Sequence, residues 1–127
     1  MSAPEKTGMD DAAQDALCIV ATEWWKCSQR LVRLTFEAAP GRVERERAQL
    51  TYAGRRIGQA LKALGLQMRE FDGQPWSVSL PAEPVNPEDF GAEDELEVAE
   101  TLEPTILRDG RIVSRGKVVL RRAAARA

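Results

Sequence analysis

Between Asp10 and Ala38 apolar residues recur at alternating spacings of three and four, namely Ala13, Leu17, Val20, Trp24, Cys27, Leu31, Leu34 and Ala38. A seam of this kind has to be laid against another helix. Cys18, Trp25 and Val32 repeat every seven beside it and widen the stripe to roughly 160° at ~100° per residue, more than a two-stranded coiled coil uses. The sequence therefore predicts a helix in a bundle. Adjacent tryptophans on a helix point about 100° apart, which gives Trp24 the seam and leaves Trp25 for the margin of the bundle or a contact between subunits. Asp10, Asp11 and Asp15 suit the positive end of the helix dipole, and Pro40-Gly41 reads as the stop.

A second helix is expected from Arg42 to Leu64. Val43, Leu50, Ile57 and Leu64 repeat at seven, the small residues Ala53, Gly54, Gly58 and Ala60 lie with Leu61 on or beside that face, and Gly65 closes it. Two or three linking residues force the helices antiparallel, and two such hairpins from two copies make a four-helix bundle. The residues expected in that dimer interface are Leu17, Val20, Trp24, Leu31, Leu34, Leu50, Ile57 and Leu61. A chain of 127 residues that spends half its length on a hairpin has thin cores, which favours association with a second copy.

After Gly65 the period changes from helical to alternating. Leu66 and Met68 alternate with polar neighbours, Asp72-Gly73 marks a turn, and Trp76, Val78 and Leu80 alternate with Ser77 and Ser79 as a half-buried strand does. Residues 81–94, PAEPVNPEDFGAED, read as an irregular loop that crosses a surface or caps an edge. Leu96 and Val98 begin another strand. Asp109-Gly110, between Thr105-Ile106-Leu107 and Ile112-Val113, suits the positive φ values of a hairpin turn. Gly116 reads as a bulge or second turn before Lys117–Leu120. The expected architecture is thus α+β: a frayed terminus (1–9), an antiparallel helical hairpin forming a dimeric four-helix bundle (10–65), a small C-terminal β-domain (66–122) and a frayed tail (123–127).

The charges are segregated. Net charge is −2, yet residues 66–104 carry a net −10 and 105–127 a net +6. Either neighbouring strands of one sheet pair these charges, or a basic surface is kept for an acidic partner. There is no histidine, so histidine-dependent triads, histidine metal sites and histidine general bases are excluded. Cys18 and Cys27, nine residues apart on one helix, point about 180° away from each other and cannot bridge within it. With no secretory signal or long apolar run, the expected compartment is the cytoplasm. No phosphate loop, dinucleotide fingerprint or nucleophile elbow occurs. The acidic run Glu93, Asp94, Glu95 and Glu97 reads as solvated surface, not a metal or acid/base cluster. Arg42, Arg45, Arg47, Arg55 and Arg56 are interleaved with Glu44 and Glu46, a weak nucleic-acid signal. The expectation is a binding protein, not an enzyme, with no cofactor, metal or membrane partner.

Three stretches carry a resemblance to a known family. Residues 55–67, RRIGQALKALGLQ, look like the last bundle helix and glycine stop of the GrpE nucleotide exchange factors. Residues 83–90, EPVNPEDF, resemble that family's Glu-Pro-Phe-Asp-Pro-Asn run at Glu83, Pro84 and Pro87, with Asn86 where Asp is usual. Residues 98–120 resemble its closing β-segment at Leu107, Arg111 and Val118, with Ile112 and Val113 as conservative counterparts. Pro104, the longer turn, Ser114-Arg115-Gly116 and Lys117 depart from the family pattern, and most of the long N-terminal stalk is missing. The resemblance implies a shortened, homodimeric co-chaperone of the stress response that binds the ATPase domain of a DnaK-type chaperone and promotes ADP release. It implies partner contacts at Pro84, Asn86, Pro87, Phe90, Leu107, Arg111, Val113, Arg115 and Val118. Two other readings stand beside it: a small acidic dimeric chaperone or adaptor holding one protein client against a sheet edge, and a nucleic-acid-binding regulator using the helix-two arginines and the basic tail.

Overall fold

A computed structural model describes residues 10–35 and 40–124. The expected frayed terminus (1–9), seam residue Ala38 and the last three residues of the tail lie outside the described residues. The chain is α+β and divides into two compact units, Met1–Gln67 and Met68–Ala127.

The first unit holds α1 (Asp11–Thr35) and α2 (Pro40–Ala63). Asp10 caps α1: its Oδ1 accepts from the Ala13 N–H at 2.8 Å and its carbonyl from the Gln14 N–H at 3.0 Å, satisfying donors that a helix start leaves orphaned. Pro40, expected as a stop, is instead the first residue of α2, where a missing N–H costs nothing and a fixed φ suits the first turn. Gly65 closes the unit at φ +78, and its N–H donates to the Lys62 carbonyl at 2.9 Å. The short link between Thr35 and Pro40 makes the helices fold back antiparallel, and Trp24 and Leu34 of α1 line one groove with Leu50 and Ala53 of α2.

The buried line of α1 is Cys18, Ala21 and Trp25. This is the expected line Leu17, Val20 and Trp24 rotated by one residue, ~100° about the axis. Trp25 is the buried tryptophan and Trp24 the half-buried one, which corrects the roles the seam suggested. Val20 is 65 % exposed. Burial also pushes the Cys18 thiol pKa up, with help from the nearby Asp15 carboxylate.

The second unit contains two three-stranded sheets. One is ordered β1-β4-β5 and the other β2-β6-β3, from strands β1 (Leu66–Arg69, whose last two residues belong to this unit), β2 (Ala82–Pro84), β3 (Leu96–Glu103), β4 (Thr105–Arg108), β5 (Arg111–Ser114) and β6 (Gly116–Arg122). Asp109 (φ +51) and Gly110 (φ +86) turn β4 into β5, the mirror-type turn that Asp-Gly favours. The core is Phe71, Ala82, Val98, Val118 and Leu120, with Trp76, Leu80, Phe90 and Leu96 packed against it.

Two expectations are corrected here. Residues 76–80 form no strand: Leu80 N–H donates to the Ser77 carbonyl at 3.0 Å, Ser77 Oγ and Ser79 Oγ share a hydrogen bond at 2.8 Å, and Val78 is 96 % exposed. Their alternation still sends Trp76 and Leu80 to the core, because a tight turn can present two apolar side chains to one side as a strand does. The proline-rich stretch is also more regular than expected. It contains β2, parallel to β6, and a single 3₁₀ turn at Pro87–Asp89.

Gly116 is neither a bulge nor a turn. It begins β6 where the β3–β4 corner at Pro104 crosses it, and a Cβ there would lie 2.3 Å from the Glu103 carbonyl oxygen. Thr105, fully buried, knits this crossing together: its Oγ1 donates to the Pro81 carbonyl at 2.5 Å and accepts from the Gly116 N–H at 2.9 Å. A buried hydroxyl with both functions satisfied strengthens such a corner, where an unmade bond would weaken it.

Candidate protein-binding surfaces

On the helical unit, Trp24, Leu31 and Leu34 of α1 and Leu50 and Ala53 of α2 line a groove of ≈ 460 Å³, with Thr35, Glu46 and Gln49 at its margin. Leu31 is 46 % and Leu34 61 % exposed. The groove exists because α1 spends its Cys18–Trp25 line on burial, which leaves the neighbouring heptad line uncovered. It gathers Trp24, Leu31, Leu34 and Leu50 of the expected dimer residues. Leu17 and Ile57 are half-buried elsewhere on the helices, Val20 is exposed, and Leu61 is already buried within one chain. Glu46, Gln49 and Thr35 carry no apolar periodicity, so nothing in the sequence places them at a groove, and Glu46 stands out only as a neighbour of the helix-two arginines.

On the β-unit, the segregated charges meet across one ladder. β3 and β6 are antiparallel with Glu97 opposite Arg121 and Glu103 opposite Lys117. Arg121 Nε bonds Glu97 Oε2 at 2.5 Å, and Arg122 reaches Asp94 at 3.4 Å. The first reading of the charge pattern, paired neighbouring strands, thus describes this part of the tail. Asp94 also accepts from the Gly91 N–H at 2.8 Å; that bond first, and Arg122 after it, hold its carboxyl below the usual carboxylate range. The contribution is present above the ordinary carboxylate pKa and lost as pH falls through the lowered one. Among the described residues no group of three or more acidic or cysteine side chains is placed to hold a metal.

Arg111 does not pair with Glu97 or Glu100, because β5 lies beside β4 and Arg111 stands opposite Arg108. Arg111 and Arg115 are exposed, and neither makes an ion pair among the described residues. The other residues that the resemblance assigns to a partner divide. Pro87 is exposed. Pro84 and Val113 are half-buried, and Leu107 (8 %) and Val118 (0 %) are interior residues that hold the sheets. Phe90 packs on the core beneath the Arg122 guanidinium, 5.4 Å from its ring centre.

Asn86 acts as a strand extension. Beyond β2 its side-chain Nδ2 donates to the Leu120 carbonyl at 3.0 Å and its Oδ1 accepts from the Leu120 N–H at 2.9 Å, so one amide continues the β6 ladder after Val85 N–H has bonded the Val118 carbonyl. Asn86→Ala is expected to lower stability by about 1–3 kcal/mol, since it leaves both Leu120 backbone groups without these partners. Asn86→Asp keeps the acceptor for the Leu120 N–H but turns a carboxylate oxygen toward the Leu120 carbonyl, so at neutral pH it should recover little of the loss and at low pH, once protonated, more. Urea unfolding of the two variants at neutral and low pH measures the order; equal losses at low pH would assign the effect to packing.

In the helical unit Tyr52, 56 % exposed, lies under Arg56, 5.9 Å from its ring centre, an aromatic neighbour that reading the arginines alone overlooked. No described helix is long and apolar enough to cross a membrane. Compared with protein-family models, curated proteins and solved structures, the chain finds no match.

Proposed function

We propose that this protein is a homodimeric co-chaperone of the nucleotide-exchange type, whose β-unit binds the ATPase domain of a DnaK-type chaperone and promotes ADP release. The observation that carries the reading is the division of the C-terminal basic residues. Arg121 and Arg122 pair with Glu97 and Asp94, whereas Arg111 and Arg115, on β5 and at its end, are exposed and make no ion pair among the described residues. Charge kept unpaired on a folded surface is available to an acidic partner. The order of helical hairpin, proline-containing segment and small β-unit is the order that the sequence resemblance implies.

The mechanism requires no catalytic side chain. A ligand that prefers the open nucleotide cleft over the closed one shifts the population toward release, and a 100-fold preference corresponds to about 2.7 kcal/mol. Pro87, Arg111 and Arg115 are the assigned residues whose exposure suits direct contact. Leu107, Val118 and Asn86 serve the surface by holding its strands. The groove of Trp24, Leu31, Leu34 and Leu50 is the proposed seat of the second copy, since pairing would remove these apolar side chains from water.

Two measurements test the reading: solution mass at micromolar concentration, and release of labelled ADP from a DnaK-type chaperone. A mass of two chains and accelerated release, reduced by Arg111→Glu, are expected. A single-chain mass with unchanged release would remove the proposal.

A further inference from the structure

We propose that the free edge of β5 receives an extended acidic segment of another polypeptide as an added antiparallel strand. β5 is the terminal strand of the sheet β1-β4-β5. Arg108 and Arg111 flank the two-residue turn, so they form the hydrogen-bonded pair that closes the hairpin. The next pair, Leu107 with Ile112, is then a non-hydrogen-bonded one, and the Ile112 N–H and C=O point away from β4 toward the open side. Ile112 is 40 % exposed in the chain as a whole. An edge with outward backbone groups and an accessible apolar side chain is the template on which strand addition is built.

Charge selects the occupant. The edge is bracketed by Arg111 at its start and Arg115 just past its end, both exposed and neither in an ion pair among the described residues. A second copy of β5 pairing antiparallel about the strand centre would bring Arg111 of one chain toward Arg115 of the other, and like charges directly opposite are unfavourable. The register shifts between Leu107 and Ile106, so Val113 is an extra residue on β5 and Arg115 falls out of the alternation that Arg111 begins. A segment alternating acidic and apolar residues therefore sets a carboxylate near Arg111 and an apolar residue near Ile112, and Arg115 adds positive charge at the far end of the edge. The same arginines that discourage self-association therefore recruit an acidic strand. The inference uses the same exposed Arg111 and Arg115 as the proposed chaperone contact, but its test reads peptide binding alone, so its failure is distinguishable from a failure of nucleotide exchange or of dimerisation.

The test uses the full chain and a fluorescein-labelled hexapeptide of alternating Val and Glu, followed by anisotropy. Saturable binding is expected, with slowed hydrogen exchange at the Ile112 amide. The R111E/R115E double variant should bind about tenfold more weakly or worse, and a Val/Lys peptide should not bind. Ile112→Pro should abolish binding, because it deletes the outward N–H that β4 does not use. Should Ile112→Pro fail to fold, the charge-reversed variant, which alters only exposed side chains, and the Ile112 exchange rate decide. Absence of saturable binding, equal binding of the lysine peptide, undiminished binding by either variant, or an unprotected Ile112 amide would overturn the proposal.

Discussion

Gly116→Ala is expected to destabilise the β-unit severely. An added Cβ would lie 2.3 Å from the Glu103 carbonyl oxygen, 2.6 Å from the Pro104 carbonyl carbon and 2.7 Å from the Thr105 nitrogen, and all three are backbone atoms that cannot rotate out of the way. Relief requires moving the β3–β4 corner, which would strain the Gly116 N–H to Thr105 Oγ1 bond and the Thr105 link to Pro81. The expected cost exceeds about 3 kcal/mol, a large part of the ~5–15 kcal/mol that stabilises a small domain. Gly110→Ala provides the contrast: Gly110 has φ +86 but nothing within 4 Å of the added carbon, so its cost is the left-handed conformation alone, about 1–2 kcal/mol. Urea unfolding with methyl NMR of Val98, Ile106 and Val118 reports on this unit. A Gly116→Ala protein that keeps dispersed methyl signals and loses less than Gly110→Ala would refute the crossing as the reason for glycine.

Phe71→Ala is the second large effect, with an expected loss of about 3–5 kcal/mol. Phe71 is 1 % exposed and packs with Ala82, Val98, Val118 and Leu120. Its backbone N–H donates to Thr101 Oγ1 at 2.9 Å, and the Thr101 N–H donates to Asp72 Oδ1 at 2.9 Å. Both bonds survive truncation, so the variant isolates the packing contribution of the ring from the polar clamp that aims it inward. Phe71→Leu refills most of the volume and should recover more than half of the loss. If the two variants unfold at the same urea concentration, shape in this core is unimportant and the small unit is held mainly by its hydrogen bonds.

Much of the β-unit could be read locally. Asp109-Gly110 specified its turn because few dipeptides tolerate two consecutive positive φ values, and the charge reversal between residues 66–104 and 105–127 anticipated the pairing of β3 with β6. The strand expected at Trp76–Leu80 failed for a complementary reason: alternation reports which side chains go inward, and a hydrogen-bonded turn satisfied that demand without a ladder. β2 is hidden in the sequence because its pairing and the Asn86 extension are made to β6, more than thirty residues away, and prolines in the segment argue against any strand.

The surfaces were legible to a lesser degree. The apolar lines of α1 were evident, and Trp24, Leu31, Leu34 and Leu50 do share a groove. Of the residues assigned to a partner, Leu107 and Val118 are interior, because a match in an apolar strand position does not reveal which face of the strand is covered. Arg111 and Arg115 stand out in the sequence as basic residues, but that neither forms an ion pair among the described residues follows only from the fold, which puts Glu97 on Arg121.

By itself the sequence determined two helices joined as a hairpin, the switch to strands after Gly65, and the Asp-Gly turn, since each follows from spacing or from the conformational range of one or two residues. Tertiary structure alone decided that Trp25 and not Trp24 turns inward, that Gly116 must lack a side chain, and that Arg111 stands opposite Arg108 and not beside an acidic strand. Those three outcomes depend on which distant backbone or charge arrives beside a residue. A broad apolar stripe accepts either of two rotations, and a glycine or an arginine carries no mark of the neighbour it will meet.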